Sequence, residues 1–204
     1  MNRAISLRIA KESDASAILS IYAPYVEKTA ITFEYEVPTL SEFKERIHNT
    51  LKTYPYLAAL DGDRIVGYAY AGAFKARAAY QWSVETSIYI DSAYKRRGIG
   101  QMLQSALEAI LKMQGILNVN ACIAYPENDD PYLTKDSFYF HSKCGFDTVG
   151  IFHNCGYKFH RWYHAVWMEK MIGEHYADQT AFRTFPEICA VLSDNDWNCI
   201  LHHC

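Results

Sequence analysis

No apolar run in this chain approaches the roughly 20 residues that a membrane-spanning helix requires. Its first residues, Met-Asn-Arg-Ala-Ile-Ser, lack the apolar segment of a signal peptide, so a cytoplasmic protein is expected. The six cysteines include no Cys-x-x-Cys pair, which argues against zinc-ribbon and thioredoxin-like chemistry. Cys122 and Cys144 fall within apolar patterns and read as buried free thiols. The cluster Cys199-Ile-Leu-His-His-Cys204 has only Cys189 as an obvious further thiol. That falls short of four ligands at fixed spacing, and no metal is expected. Neither the G-x-x-x-x-G-K-[ST] nor the G-x-G-x-x-G phosphate loop is present. A net charge of −3 gives no general attraction to nucleic acid or to an anionic membrane. Internal repeats and low-complexity segments are also lacking.

What the chain does have is apolar and aromatic substance. Half of its 204 residues are apolar and 15% are aromatic, enough for one α/β domain with a real core. Leu7 to Ala10 reads as a strand, followed by a helix to about Lys28 with Ile18, Ile21, Tyr22 and Tyr25 on one face. Thr39-Leu-Ser-Glu42 has capping-box spacing for a second helix reaching about Leu51. Tyr56 to Leu60 and Arg64 to Phe74 form a hairpin about Asp61-Gly62-Asp63, and Ser83 to Ile90 is the next strand. A helix with Leu103, Ala106, Leu107, Ile110 and Leu111 on one stripe ends near Gly115. Strand Asn118 to Ala124, helix Ser137 to Lys143, and strands Phe146 to Phe152 and Trp162 to Met171 complete the pattern. The order β-α-α-β-β-β-α-β-α-β-β fits an α/β (α+β) mixed sheet with helices on its faces. From about Glu174 the pattern breaks, predicting a domain over 1–173 and an extension over 174–204 that is packed on it or partly disordered.

The most informative stretch runs from Glu85 to Gly100, where a β-branched and aromatic strand gives way to Lys95-Arg-Arg-Gly-Ile-Gly100 and an amphipathic helix. Backbone N–H groups freed at a helix N-terminus, with glycines permitting close approach, suit a pyrophosphate. Glu85 lies in largely apolar surroundings, where a carboxylate is costly unless paired or useful. His141 lies four residues before Gly145, with Tyr139 close by as another proton donor.

The Lys-x-x-Gly-x-Gly loop resembles the Q/R-x-x-G-x-G/A loop by which N-acetyltransferases of the GNAT superfamily hold coenzyme A, with Lys95 departing from the usual Gln or Arg. The resemblance sharpens towards the phosphinothricin N-acetyltransferase branch in Lys75-Ala-Arg-Ala-Ala-Tyr80, Tyr54-Pro-Tyr, Thr32-Phe33 and Gly156-Tyr-Lys-Phe-x-x-Trp162. It extends from about Leu7 to Met171. It implies the GNAT fold, with a mixed and mostly antiparallel central sheet and helices on both faces. It also implies acetyl-CoA as co-substrate, with Ile88, Tyr89, Ile90, Lys95, Arg96, Arg97, Gly98, Ile99, Gly100, Gln101 and Asn128 as its contacts. Glu85 would be the general base and His141, which replaces a tyrosine, the general acid. Lys75, Arg77 and Tyr80 would meet a carboxylate and a dipolar headgroup of a small amino-acid-like acceptor, and Phe33 its short apolar chain. The segment between Ala124 and His141 is longer than usual for the family, which leaves a polyamine, aminoglycoside or peptide acceptor open, as well as a non-catalytic acyl-CoA-binding role. Relatives are often homodimers. The rings from Tyr157 to Trp167 would serve an interface or equally complete the core.

Overall fold

A computed structural model describes residues 5–202. Strand β1 (Ile5–Ile9) leads through a 3-10 turn into α1 (Ala15–Lys28), followed by α2 (Leu40–Leu51). Strands β2 (Tyr56–Asp61), β3 (Arg64–Ala73) and β4 (Ser83–Ile90) form a meander ahead of α3 (Ile99–Gln114). Then come β5 (Asn118–Tyr125), α4 (Asp136–Lys143), β6 (Asp147–Lys158) and β7 (Arg161–Met171). Two short helices, α5 (Phe185–Cys189) and α6 (Asp194–His202), close the described chain. The Thr39 capping box is present: the Glu42 amide donates to Thr39 Oγ1, and the Thr39 amide donates to the Glu42 carboxylate.

The seven strands form one sheet in the order β1-β2-β3-β4-β5-β7-β6. Every neighbouring pair is antiparallel except β4 and β5, which run parallel and pair only from Ser83 to Glu85. Alternation along the strands sends residues to two separate cores. One face carries Leu57, Ala69, Val84 and Val119 against the Leu103, Leu107 and Ile110 stripe of α3. The other carries Ala58, Tyr68 and the ring of Tyr89 against Ile18 and Tyr22 of α1 and Phe43 and Ile47 of α2. Helices on both faces of a mixed, mostly antiparallel sheet are what the family resemblance implies.

Two expectations need correction. Cys122 and Cys144 are free thiols but not buried: Cys122 is exposed and Cys144 only half-buried. Cys122 sits in β5 between Ala121 and Ile123, which face the α3 core, so alternation turns its own side chain to the other face. The sixth strand runs on to Lys158 rather than stopping at Phe152, through an irregular register between Phe152 and Gly156. The extension is packed, at least as far as its described residues reach. Phe185, Ile188 and Leu201 are buried, α6 lies on β1 and α3, and Gln114 donates to the carbonyls of both Thr53 and Arg183. His203 and Cys204 of the cysteine–histidine cluster lie outside the described residues.

Candidate active site

The site begins where β4 and β5 part. Their pairing ends at Glu85 opposite Asn120, which anchors the fork by donating from Nδ2 to the Val84 carbonyl at 3.0 Å. Beyond it β4 continues on β3 and β5 on β7, so the edge of β4 from Thr86 to Ile90 pairs with no strand on its β5 side. A cavity of about 60 Å³ fills the fork, walled by Ile88, Cys122, Ala124, Ser137 and His141.

Ile88, Ser137 and His141 also line a larger groove of about 630 Å³ that runs to the head of α3. There Gly98 adopts φ +81°, a left-handed conformation that β-carbon residues avoid, and no side chain caps the helix. The first helical bond is donated by Met102 to the Gly98 carbonyl. The amides of Ile99, Gly100 and Gln101 are therefore left for an anionic ligand. A β-carbon on Gly100 would come within 3.1 Å of the Phe140 ring, so the glycine lets α3 and α4 close on the groove.

Glu85 is half-buried, and burial lifts its carboxyl above the ordinary glutamate range, opposed by the charge of Lys75. His141 is buried, with Nδ1 2.7 Å from the Ser137 carbonyl. A carbonyl only accepts, so Nδ1 carries the proton and Nε2 of the neutral ring is a bare acceptor. Burial pushes the pKa of His141 down, with the Ser137 bond opposing. The ring therefore stands neutral near pH 7.

The other expected residues divide. Ile88, Ile90, Lys95, Arg96, Gly98, Ile99, Gly100 and Gln101 line the groove. Lys95 Nζ lies 4.9 Å from the Tyr25 ring centroid, and Arg96 adopts φ 63° with a long 3.8 Å ion pair to Asp136. Arg97 instead lies over the Tyr94 ring at 4.6 Å and does not line the groove. The Tyr89 side chain packs on the α1 side of the sheet, touching the fork only at its cavity wall. Asn128 is exposed and lines neither the groove nor the fork cavity. Lys75 holds Nζ between the Phe74 and Trp167 rings, at 4.6 and 5.1 Å, within electrostatic reach of Glu85. Tyr80 packs edge-on to Phe74, Arg77 is exposed on the turn before it, and Tyr139 is exposed at the groove mouth.

Two residues carry positioning roles that the sequence reading did not assign. Lys158 is 3% exposed and donates to the carbonyls of Val26 (2.7 Å) and Thr32 (2.9 Å), tying the β6–β7 turn to the chain that leaves α1. Next to it, a β-carbon on Gly156 would fall 2.3 Å from the Phe33 ring, so only glycine admits that ring. Asp130 accepts from the amides of Tyr132 and Leu133 and from the Tyr163 hydroxyl, which folds the long 126–135 segment onto β7. A lysine in an apolar run and an aspartate before a proline were the available signals, and both are ordinary in sequence.

Residues 7–167 match the acetyltransferase (GNAT) domain family. The chain belongs to that family. This acetyltransferase is 32% identical over 161 residues to phosphinothricin N-acetyltransferase of Streptomyces viridochromogenes, covering 79% of this chain and 84% of that one. It is 26% identical to the L-methionine sulfoximine/L-methionine sulfone acetyltransferase of Salmonella typhimurium, over 85% of this chain and 98% of that one. A solved structure, the phosphinothricin acetyltransferase from Sinorhizobium meliloti in complex with AcCoA, superposes with TM-score 0.80 at 31% identity, covering 92% and 97% of the two chains. The protein is thus an acetyl-CoA-dependent N-acetyltransferase. The groove suits that co-substrate: free amides at the head of α3 for its pyrophosphate, and the open β4 edge for its amide-bearing arm.

Proposed function

We propose that this acetyltransferase acetylates the amino group of a small amino-acid-like acceptor of the phosphinothricin, methionine sulfone or methionine sulfoximine kind. The observation that carries the reading is Glu85. It is a carboxyl with a raised pKa at the point where β4 and β5 part, with the Lys75 ammonium within electrostatic reach. Acetyl-CoA supplies an activated acyl thioester. Glu85 takes one proton from the acceptor ammonium, freeing the lone pair that forms the N–C bond. The Thr86–Ile90 edge of β4 offers its unpaired amides to the acyl oxygen. His141 arrives neutral, so Nε2 must take up a proton before it can give one. The second proton, shed by the nitrogen once it is bonded to carbon, can pass through Nε2 to the departing thiolate. That sulfur needs little help, since an ordinary thiol has a pKa of about 8.5. Lys75, Arg77 and Tyr80 would receive the acceptor's anionic groups, and Phe33 its short chain. In the same reading the exposed rings of Phe152, Tyr157 and Trp162 pair two copies of the chain.

The test is thiol release from acetyl-CoA with phosphinothricin, methionine sulfone, methionine sulfoximine, a polyamine and an aminoglycoside, for the wild type and Glu85→Gln. Release confined to the first three, falling by ~10²- to 10⁴-fold in the variant while acetyl-CoA affinity holds, is the expected result. Release only with the other amines would overturn the acceptor. Equal losses in turnover and affinity would remove Glu85 from the base role.

A further inference from the structure

A second cavity, of about 470 Å³, lies between α2 and the sheet, on the face that Glu85 shares. Its walls are the rings of Tyr22, Phe43, Tyr56, Tyr68 and Tyr70, with Arg46 at its mouth. Tyr56 stacks on Tyr70 and on Tyr68, at 5.0 and 5.7 Å between centroids. Tyr56 and Tyr68 are 2% and 1% exposed, yet no hydrogen bond is made by either hydroxyl to any described residue. The other two tyrosines are engaged, Tyr22 with Thr32 and Tyr70 with Ser87. Both hydroxyls open onto the cavity, since neither is among the described buried side-chain oxygens that lack a partner, and two such donors on one cavity wall suit a ligand that supplies acceptors.

The cavity lies in line with Glu85 along β3. Tyr68, Tyr70 and Gly72 alternate onto one face, Tyr70 pairs with Ser87, and Gly72 pairs with Glu85. A β-carbon on Gly72 would meet nothing within 4 Å. The face over Gly72 is therefore clear, and at the strand rise of ~3.4 Å per residue the way from Glu85 is ~7 Å to Tyr70 and ~14 Å to Tyr68. At the mouth, Arg46 Nη1 is engaged by Glu34 at 2.8 Å, which leaves the rest of the fork available. Glu42 at the rim is tied up in its capping box, and Glu45 faces the cavity mouth as well.

We propose that this tyrosine-walled cavity is a second acceptor subsite, for amines longer than methionine sulfone whose far end carries carboxylate or carbonyl oxygens. The amine sits at Glu85, an apolar spacer crosses Gly72, and the terminal oxygens accept from Tyr56, Tyr68 and Arg46. A short peptide with a free N-terminus and a long-chain ω-amino acid share that chemistry. The inference rests on the proposed acceptor end at Glu85, and it enlarges the acceptor class of that site.

The test is calorimetric binding, with coenzyme A present, of methionine sulfone, trialanine (~10 Å when extended) and ε-aminocaproate. The proteins are the wild type, Tyr56→Phe/Tyr68→Phe, and Gly72→Val, whose added methyls stand on that face while suiting a strand. Expected is at least tenfold weaker binding of the long probes to both variants, with methionine sulfone within twofold and the melting temperature retained. Loss with one long probe alone tells peptide from ω-amino acid as the source. Wild-type protein that binds neither long probe, or variants that bind them as the wild type does, would overturn the subsite. Failure of the catalytic reading is separate: thiol release would be absent with every amine while the binding difference persists.

Discussion

His141 and Glu85 are perturbed by the same burial in opposite senses, because one ring is neutral and the other group charged once deprotonated. For His141 the folded-state pKa lies below the unfolded one of about 6.5, so the unfolded chain binds more protons as pH falls. Stability contributed by the neutral ring is complete above that pH and is lost as pH drops towards the folded value. A His141→Gln variant should flatten the decline in urea midpoint as pH falls below about 6.5, relative to the wild type. Parallel curves would mean that the ring is not held neutral. In the proposed mechanism Glu85 must be ionised to act, so kcat/KM should also fall as pH drops, with an acid limb above the ordinary glutamate range that vanishes in Glu85→Gln.

At the scale of elements, the fork and the clip matter most. The fork exists because β4 and β5 share only three paired residues before each follows a different partner. The clip is Lys158, a buried ammonium whose two carbonyl partners belong to the end of α1 and the segment after it. Burial lowers its pKa, with the Glu34 charge opposing. Two hydrogen bonds from a charged donor are worth about 3–6 kcal/mol together, partly offset by the cost of burying the ammonium, so Lys158→Met, which keeps the apolar stem, should destabilise the fold by about 2–4 kcal/mol. It should also raise KM for the acceptor more than for acetyl-CoA, because the loosened segment carries Phe33 and Glu34. An unchanged acceptor KM would leave Lys158 a stability residue only.

At the scale of the molecule, α3 is covered twice, by the sheet and by the extension. Trp82 Nε1 donates to the Thr180 carbonyl, the Phe182 ring meets Tyr54, and Phe185, Ile188 and Leu201 are buried. At ~1.5–3 kcal/mol for each large apolar side chain buried, those three side chains alone contribute on the order of 5 kcal/mol, a large part of ordinary domain stability. A chain ending at Gly173 should therefore lose several kcal/mol in urea titration and expose the apolar flank of α3 and β1. Its groove residues remain in place, so any folded fraction should still bind acetyl-CoA. An unchanged urea midpoint would make the extension a passive appendage.

Much of this was written locally. The capping box at Thr39, the Leu103–Leu111 stripe and the β-branched run into Ile90 each specify their element without distant help, as their periodicity dictates. The glycines at 98 and 100 announced the anion cradle, because left-handed backbone and close approach need glycine. Lys75, Glu85 and His141 could be singled out by residue type and by resemblance. The sequence could not say that Arg97 turns away onto Tyr94, that Cys122 faces outward, or that Tyr56, Tyr68 and Tyr70 stand together. Those outcomes depend on strand register and on which face of the sheet each helix covers, set by pairings between residues far apart in the chain. Periodicity fixes which residues share a side, and only the folded sheet decides what that side meets.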